Sequence, residues 1–161
     1  MVLLDSGIRV SELAKLTVSD VDANTGAITI RHGKGGKQRM VRIGSTTQRA
    51  LWRYVTLYRR GNTDRLFVNR SGQPLEAHAI KLMVGKLGRI SGISGVHVHR
   101  LRHTFAISFL RTGGDIFTLK YLLGHSTLVM VQNYLQSLNA DDAAKAHQRF
   151  SPIDNMNLKG N

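Results

Sequence analysis

His99-Arg100-Leu101-Arg102-His103 is the stretch from which the rest of the chain is read. In a helix, His99, Arg102 and His103 fall at i, i+3 and i+4 and share one face of one turn. A guanidinium among imidazoles suits a phosphate, since arginine offers a planar fork of donors and histidine a donor near neutral pH. The spacing predicts a helix over residues 99–111, stopped by Thr112-Gly113-Gly114. Other residues are candidates to serve the same spot: Arg9 on an early helix, Lys34 in a glycine-rich hairpin, His125 after a helix end, and Tyr134 nine residues later. Cations and a phenol point to a phosphodiester held by positive charge and attacked by tyrosine.

A metal reading is the first rival. His99 and His103 are four apart, but a zinc hydrolase wants glutamate beside the first histidine, as in His-Glu-x-x-His. Position 100 is arginine, and residues 88–114 contain neither Asp nor Glu. The sequence therefore predicts no metal and no cofactor.

Composition narrows the class. A chain of 161 residues, 42% apolar, is one domain's worth and buries a real core. Cysteine is absent, which excludes disulfides and thiolate metal sites and favours an intracellular setting. There is no long apolar run and no signal-peptide pattern at the N-terminus, so the expectation is a soluble cytoplasmic protein without a membrane partner. Lys and Arg number 23 against 10 Asp and Glu, a net charge of +13. Such a surface releases counterions from nucleic acid, and no basic amphipathic helix of interfacial type competes for that reading.

Residues 1–4 read as the last turn of a helix, stopped by Asp5-Ser6-Gly7, as in a fragment or the catalytic half of a longer protein. Residues 8–16 fit a short amphipathic helix in which Glu12, three residues after Arg9, holds the guanidinium. Residues 27–30 and 39–43 have strand character. Between them, Gly33-Lys34-Gly35-Gly36-Lys37 lacks the strand-to-helix context and the Lys-Ser/Thr ending of a nucleotide-binding phosphate loop. Helices are expected over residues 46–60, with Ala50, Leu51, Tyr54, Val55 and Tyr58 inward, and over residues 75–90, with an extended piece at 66–68 between them. Further helices are expected over 116–123, capped by Asp115 and halted by Gly124, then through Tyr134 with Ser126 as its cap, then to about residue 149 with Asn139 or Asp141 as the cap. Tyr54, Tyr58 and Tyr121 lie at helix-core spacing. Of the histidines, only His99 is three before Arg102, so His97 reads as structural or surface, and His103 as a packed neighbour of the site.

In-line displacement at phosphorus needs a nucleophile, donors for the growing charge, and an acid for the leaving oxygen. Arg9 and Arg102 would fork the two non-bridging oxygens, His99 and His125 would add donors, and Lys34 would reach the leaving 5′ oxygen. A phenol with a free pKa of about 10 is activated when cations favour the phenolate. Losing one donor should cost about 3 kcal/mol in the transition state.

With these residues in view, residues 3–149 resemble the tyrosine recombinases, the class of phage integrases and chromosome-resolution recombinases. Ser6-Gly7-Ile8-Arg9-Val10-Ser11-Glu12-Leu13 is similar to the family's Gly-Leu-Arg-x-Ser-Glu-Leu. Gly33-Lys34-Gly35-Gly36-Lys37 with Arg39 resembles Gly-Lys-Gly-x-Lys-x-Arg; His99-x-x-Arg102-His103 resembles His-x-Leu-Arg-His; Leu122-Leu123-Gly124-His125 resembles Leu-Leu-Gly-His. Tyr134 stands at the family's offset from that last histidine. One departure is Val98, where the family has a small residue or proline.

The resemblance implies catalytic roles for Arg9, Lys34, His99, Arg102 and His125, with Tyr134 as nucleophile. Glu12 and His103 would support them, and Lys37, Arg39 and Arg42 would contact DNA. It implies an α+β fold, mainly helical, with a small three-stranded antiparallel sheet. The catalytic domain would span residues 1–150, followed by a flexible tail at 151–161, without the family's N-terminal DNA-clamping domain. Tyr134 would cut one strand as a 3′-phosphotyrosine with a free 5′-hydroxyl, and a partner strand's 5′-hydroxyl would reverse the step, with no metal, ATP or other cofactor. The implied partners are double-stranded DNA and three further copies, in a homotetramer joined through residues 139–150; the alternative for that segment is a helix folded back on its own domain. This class also accommodates an accessory DNA-bending protein. Two rivals stand beside this: a type IB-like topoisomerase, and a non-catalytic DNA-binding module.

Overall fold

Gly7 decides how the chain starts to fold. It takes the left-handed conformation, φ 62°, and its amide donates to Leu3 O at 3.1 Å, which ends helix α1, Val2–Ser6. A Cβ at this position would sit 2.2 Å from the Phe105 ring, so only glycine lets the turn lie this close to helix α5, Val98–Arg111. The computed structural model describes residues 1–31, 38–125, 127–136, 138 and 140–150. Between α1 and α5 the order is α2 (Val10–Lys15), a 3₁₀ turn (Val18–Asp20), β1 (Ala27–Ile30), β2 (Arg39–Arg42), α3 (Ser45–Arg53) and α4 (Ala77–Ile90). After α5 come α6 (Ile116–Leu123), α7 (Val129–Leu135) and α8 (Ala140–Phe150).

The fold is mainly helical with a small antiparallel sheet, as expected, but that sheet has two strands among the described residues rather than three. Ile28 pairs with Val41 and Ile30 with Arg39. The residues before β1 coil into the 3₁₀ turn, so Val21 makes one isolated bridge to Ile28. The 65–68 piece contributes only single bridges, Thr17 to Arg65 and Val68 to Pro74. In β2 the pleat points Arg39 and Val41 inward and Met40 and Arg42 outward. Arg39 is thus buried at 5% exposure, and its expected contact with DNA is corrected: the period of two places it behind the sheet. Arg42 keeps the outer face.

The helix expected over 46–60 is α3 followed by a π-helical turn over Tyr54–Tyr58, closed by Arg59 N–H donating to Tyr54 O at 2.8 Å. The wider turn breaks the 3.6-residue register, so Tyr58 faces solvent at 64% exposure instead of lying inward. Tyr54 stays inward, stacked on Phe67 with ring centroids 5.6 Å apart, its hydroxyl accepting from Val68 N. Tyr121 is also exposed rather than in the core, because α6 buries Leu119 and Leu123.

Asp115 caps α6 as expected, Oδ1 accepting from the amides of Phe117 and Thr118. Asp141 lies inside the first turn of α8 rather than at its cap, while Ser126 and Asn139 fall outside the described residues. Two hydrophobic clusters result among the described residues. The larger joins α1, α2, the sheet, α3 and α4; the smaller gathers Ala106, Leu119, Leu123, Val131 and Tyr134. Leu122 packs on the first and Leu119 and Leu123 lie in the second, so the end of α6 sits where the clusters meet. Among the described residues no helix is long and apolar enough to cross a membrane.

Candidate active site

The C-terminal end of α6 organises the site. Gly124, φ 64°, closes the helix, and the amides of Gly124 and His125 satisfy the Tyr121 and Lys120 carbonyls at 3.0 and 3.1 Å. The next three carbonyls turn outward, and each receives a different guanidinium. Leu122 O accepts from Arg39 Nε at 2.8 Å, Leu123 O from Arg102 Nη2 at 2.7 Å, and Gly124 O from Arg9 Nη2 at 3.3 Å. Free carbonyls at the negative end of a helix favour cations there. Arginines from three distant parts of the chain therefore converge.

Glu12 closes the network. Its carboxylate accepts from Arg9 Nη1 at 3.1 Å and from both Nη atoms of Arg39, at 2.9 and 2.7 Å. It also accepts from the Arg9 backbone amide at 2.8 Å, which anchors the start of α2. Burial alone would raise the Glu12 carboxyl, but the hydrogen bonds and charges of Arg39 and Arg9 leave it below the usual carboxylate value. Three guanidiniums against one carboxylate leave positive charge over for a ligand.

Arg102 is 6% exposed and fixed on three sides: Nη1 donates to Gly7 O at 2.6 Å, Nη2 to Leu123 O, and Nη2 to His125 Nε2 at 2.8 Å. Burial, reinforced by the charge of Arg9, lowers its pKa to about 10, still well above neutrality, while Tyr134 and Glu12 oppose the shift. A guanidinium has no acceptor, so His125 Nε2 must accept, which places the imidazole proton on Nδ1. That Nδ1 is buried and has no hydrogen-bond partner among the described residues. Burial and then the charges of Arg102, Arg9 and Arg39 push the His125 pKa down to about 4.

Arg9, His99, Arg102, His103, His125 and Tyr134 line one cleft of about 510 Å³. Tyr134 is docked there at 6% exposure, held by the small cluster, its ring 5.2 Å from that of His103 and 6.3 Å from that of His125. His103 is half-buried, as a packed neighbour. His99 is exposed at the rim. His97 is the N-cap of α5, Nδ1 accepting from Arg100 N, which accounts for it structurally. Lys34 and Lys37 lie outside the described residues.

Sequence reasoning missed the three carbonyls and the inward course of Arg39. The second had a signal, since Val41 and Ile43 share its parity. What the cleft can do is bind an anionic centre beside a phenol, with the Arg9 and Arg102 guanidiniums on its lining. Among the described residues no three His, Cys, Asp or Glu gather as metal ligands.

Comparison with known proteins is consistent with this chemistry. Residues 1–141 match the model of the phage integrase family. The chain is 39% identical over 141 residues to tyrosine recombinase XerC of Lacticaseibacillus casei, an alignment covering 83% of this chain and 47% of that protein. It is 39% identical over 140 residues to XerC of Bacillus subtilis, covering 82% and 46%. Among solved structures, the XerA recombinase matches with a TM-score of 0.82 at 37% identity, over 94% of this chain and 56% of that one. The Tn1549 transposon integrase in complex with a circular intermediate DNA matches with a TM-score of 0.74 at 25% identity, over 92% and 56%. The chain spans about half the length of these relatives.

Proposed function

Since this chain belongs to the phage integrase family, we propose that it is the catalytic unit of a site-specific DNA recombinase, cutting and rejoining strands by transesterification through Tyr134. The observation that carries this is that Arg9 and Arg102, seated on the adjacent carbonyls of Gly124 and Leu123, line the same cleft as the docked Tyr134. The scissile phosphate enters between them, and the two guanidiniums take the non-bridging oxygens. The Tyr134 Oη–P bond forms as the P–O5′ bond breaks. The phenolic proton leaves to solvent or a neighbouring base, and the departing 5′ oxygen takes a proton from Lys34. The 3′-phosphotyrosine conserves the bond energy, so attack by a 5′-hydroxyl reseals DNA without ATP or metal. His99 at the rim supplies a further donor to the phosphate, and His125 steadies Arg102 through Nε2.

The partner is double-stranded DNA, a reading the net charge of +13 supports. Four copies act on two duplexes, joined through residues 139–150.

A nicked suicide substrate tests the reading, since loss of a short 5′ fragment traps the covalent intermediate. The wild type should form a protein–DNA adduct, and Tyr134→Phe should bind DNA but form none. Adduct formation by Tyr134→Phe, or salt-sensitive binding with no wild-type adduct, overturns it. Relaxation of supercoiled plasmid at no particular sequence and without synapsis would move the chain to a type IB-like topoisomerase activity.

A further inference from the structure

We propose that Arg39 is a positioning residue for strand cleavage: buried behind the cleft, it holds Glu12 and the end of α6 so that Arg9 keeps its charge and aim for the phosphate. This rests on the proposed function of the cleft.

Its place in β2 excludes a direct role, since the inward face of the pleat buries it at 5% exposure, away from the surface that meets DNA. The guanidinium is fully engaged instead. Nη1 and Nη2 grip the two Glu12 oxygens as a fork, and Nε reaches Leu122 O, one residue before the carbonyl that holds Arg102. One planar group thus ties α2, β2 and α6 together. Gly124 adds an independent sign of a built contact. A Cβ there would lie 2.9 Å from Arg39 Nη1 and 3.1 Å from Cζ, so the helix end and the guanidinium approach more closely than any side chain at 124 would allow.

The consequence follows from Glu12. Its Oε1 is shared between Arg9 Nη1 and Arg39 Nη1. Without Arg39, the carboxylate has one guanidinium left, turns both oxygens to it and draws Arg9 into a closed bidentate pair. Arg9 is the more open of the two, its side chain 27% exposed, and free to make that turn. A neutralised and rotated Arg9 serves a phosphate poorly. Lysine cannot replace the fork, because a single ammonium cannot span both carboxylate oxygens and Leu122 O at once.

The test compares single-turnover cleavage and DNA affinity in wild type, Arg39→Met, Arg39→Lys and the double variant Arg39→Met/Glu12→Gln, with thermal melting as the check on folding. Arg39→Met should cleave about 100-fold more slowly, the scale of losing one oxyanion donor, with DNA affinity nearly unchanged. Glu12→Gln in that background should restore part of the rate, because the amide no longer captures Arg9. If Arg39→Met does not fold, Arg39→Lys carries the test, and should fold and cleave about tenfold more slowly. A wild-type rate in either variant, equal losses of rate and affinity, or a double variant no faster than Arg39→Met overturns the proposal. Should the wild type itself form no adduct, the reading of the cleft fails. The role of Arg39 is then read from the Arg9 guanidinium ¹⁵N resonance, where a shift in Arg39→Lys supports it and an unchanged resonance overturns it.

Discussion

Arg102 donates from Nη2 to His125 Nε2 at 2.8 Å, and this one bond sets the protonation of the imidazole. The ring is held as a neutral Nδ1–H tautomer, with its pKa pushed down to about 4 by burial and by the surrounding guanidiniums. The unfolded chain, with histidine near its ordinary 6.5, takes up a proton that the folded chain refuses. His125 therefore favours the unfolded state progressively as pH falls from about 6.5 to about 4, and is neutral in this respect above that window. Melting of the DNA-free wild type should drop more steeply across those pH values than melting of His125→Gln. Parallel curves, or a His125 ring that titrates near 6.5 by NMR, would contradict the locked tautomer.

Glu12 behaves in the opposite sense. Its carboxyl is depressed despite burial, so its stabilising contribution is complete above the usual carboxylate pKa and is lost as pH falls through its lowered value. Glu12→Leu strips the buried Arg39 of its counter-charge and should cost about 3–5 kcal/mol in denaturant unfolding. Glu12→Gln retains one acceptor oxygen and should cost clearly less. Equal, small losses from both would mean that water replaces the carboxylate.

How far the sequence alone leads depends on the kind of atom concerned. Arg9, His99, Arg102, His125 and Tyr134 were legible because their side-chain types and spacings state a chemistry, and the structure brings all five to one cleft. The helices were legible from their apolar periods and from Asp115 and Gly124. Backbone carbonyls leave no letter in a sequence, so the convergence of three arginines on Leu122, Leu123 and Gly124 could not be read from residue types. Arg39 reads as a surface group because a basic hairpin suggests a wet face, although its parity with Val41 points inward. Tyr58 turns outward because a π-turn shifts the helical register, with no proline or glycine to announce it.

Tyr134 depends on the small cluster for its position. Leu119 and Leu123 are fully buried beneath it. Leu119→Ala should destabilise the chain by about 2–5 kcal/mol, since the surrounding helices can only partly fill the void. It should also slow adduct formation at temperatures well below melting, where DNA affinity, carried by the arginines, is unaffected. Cleavage at the wild-type rate under those conditions would show that DNA, rather than this packing, places the phenol.

Two glycines separate conformational freedom from architecture. Gly85 lies within α4, where an added Cβ meets nothing within 4 Å. Gly85→Ala should therefore stabilise the fold by about 0.5–1 kcal/mol, through reduced freedom of the unfolded chain and better helix propensity, and leave cleavage unchanged. Gly124 is the contrary case, for the same substitution forces a methyl into the left-handed region and against the Arg39 guanidinium. The conformational strain alone is about 1–2 kcal/mol. The displacement also reaches the carbonyls that seat Arg9 and Arg102, so Gly124→Ala should lose cleavage out of proportion to stability. Combining the two substitutions makes the comparison strict. Gly85→Ala should return part of the lost melting temperature to Gly124→Ala and none of the lost rate. Recovery of rate along with stability would mean that the end of α6 matters only for folding and does not aim the arginines.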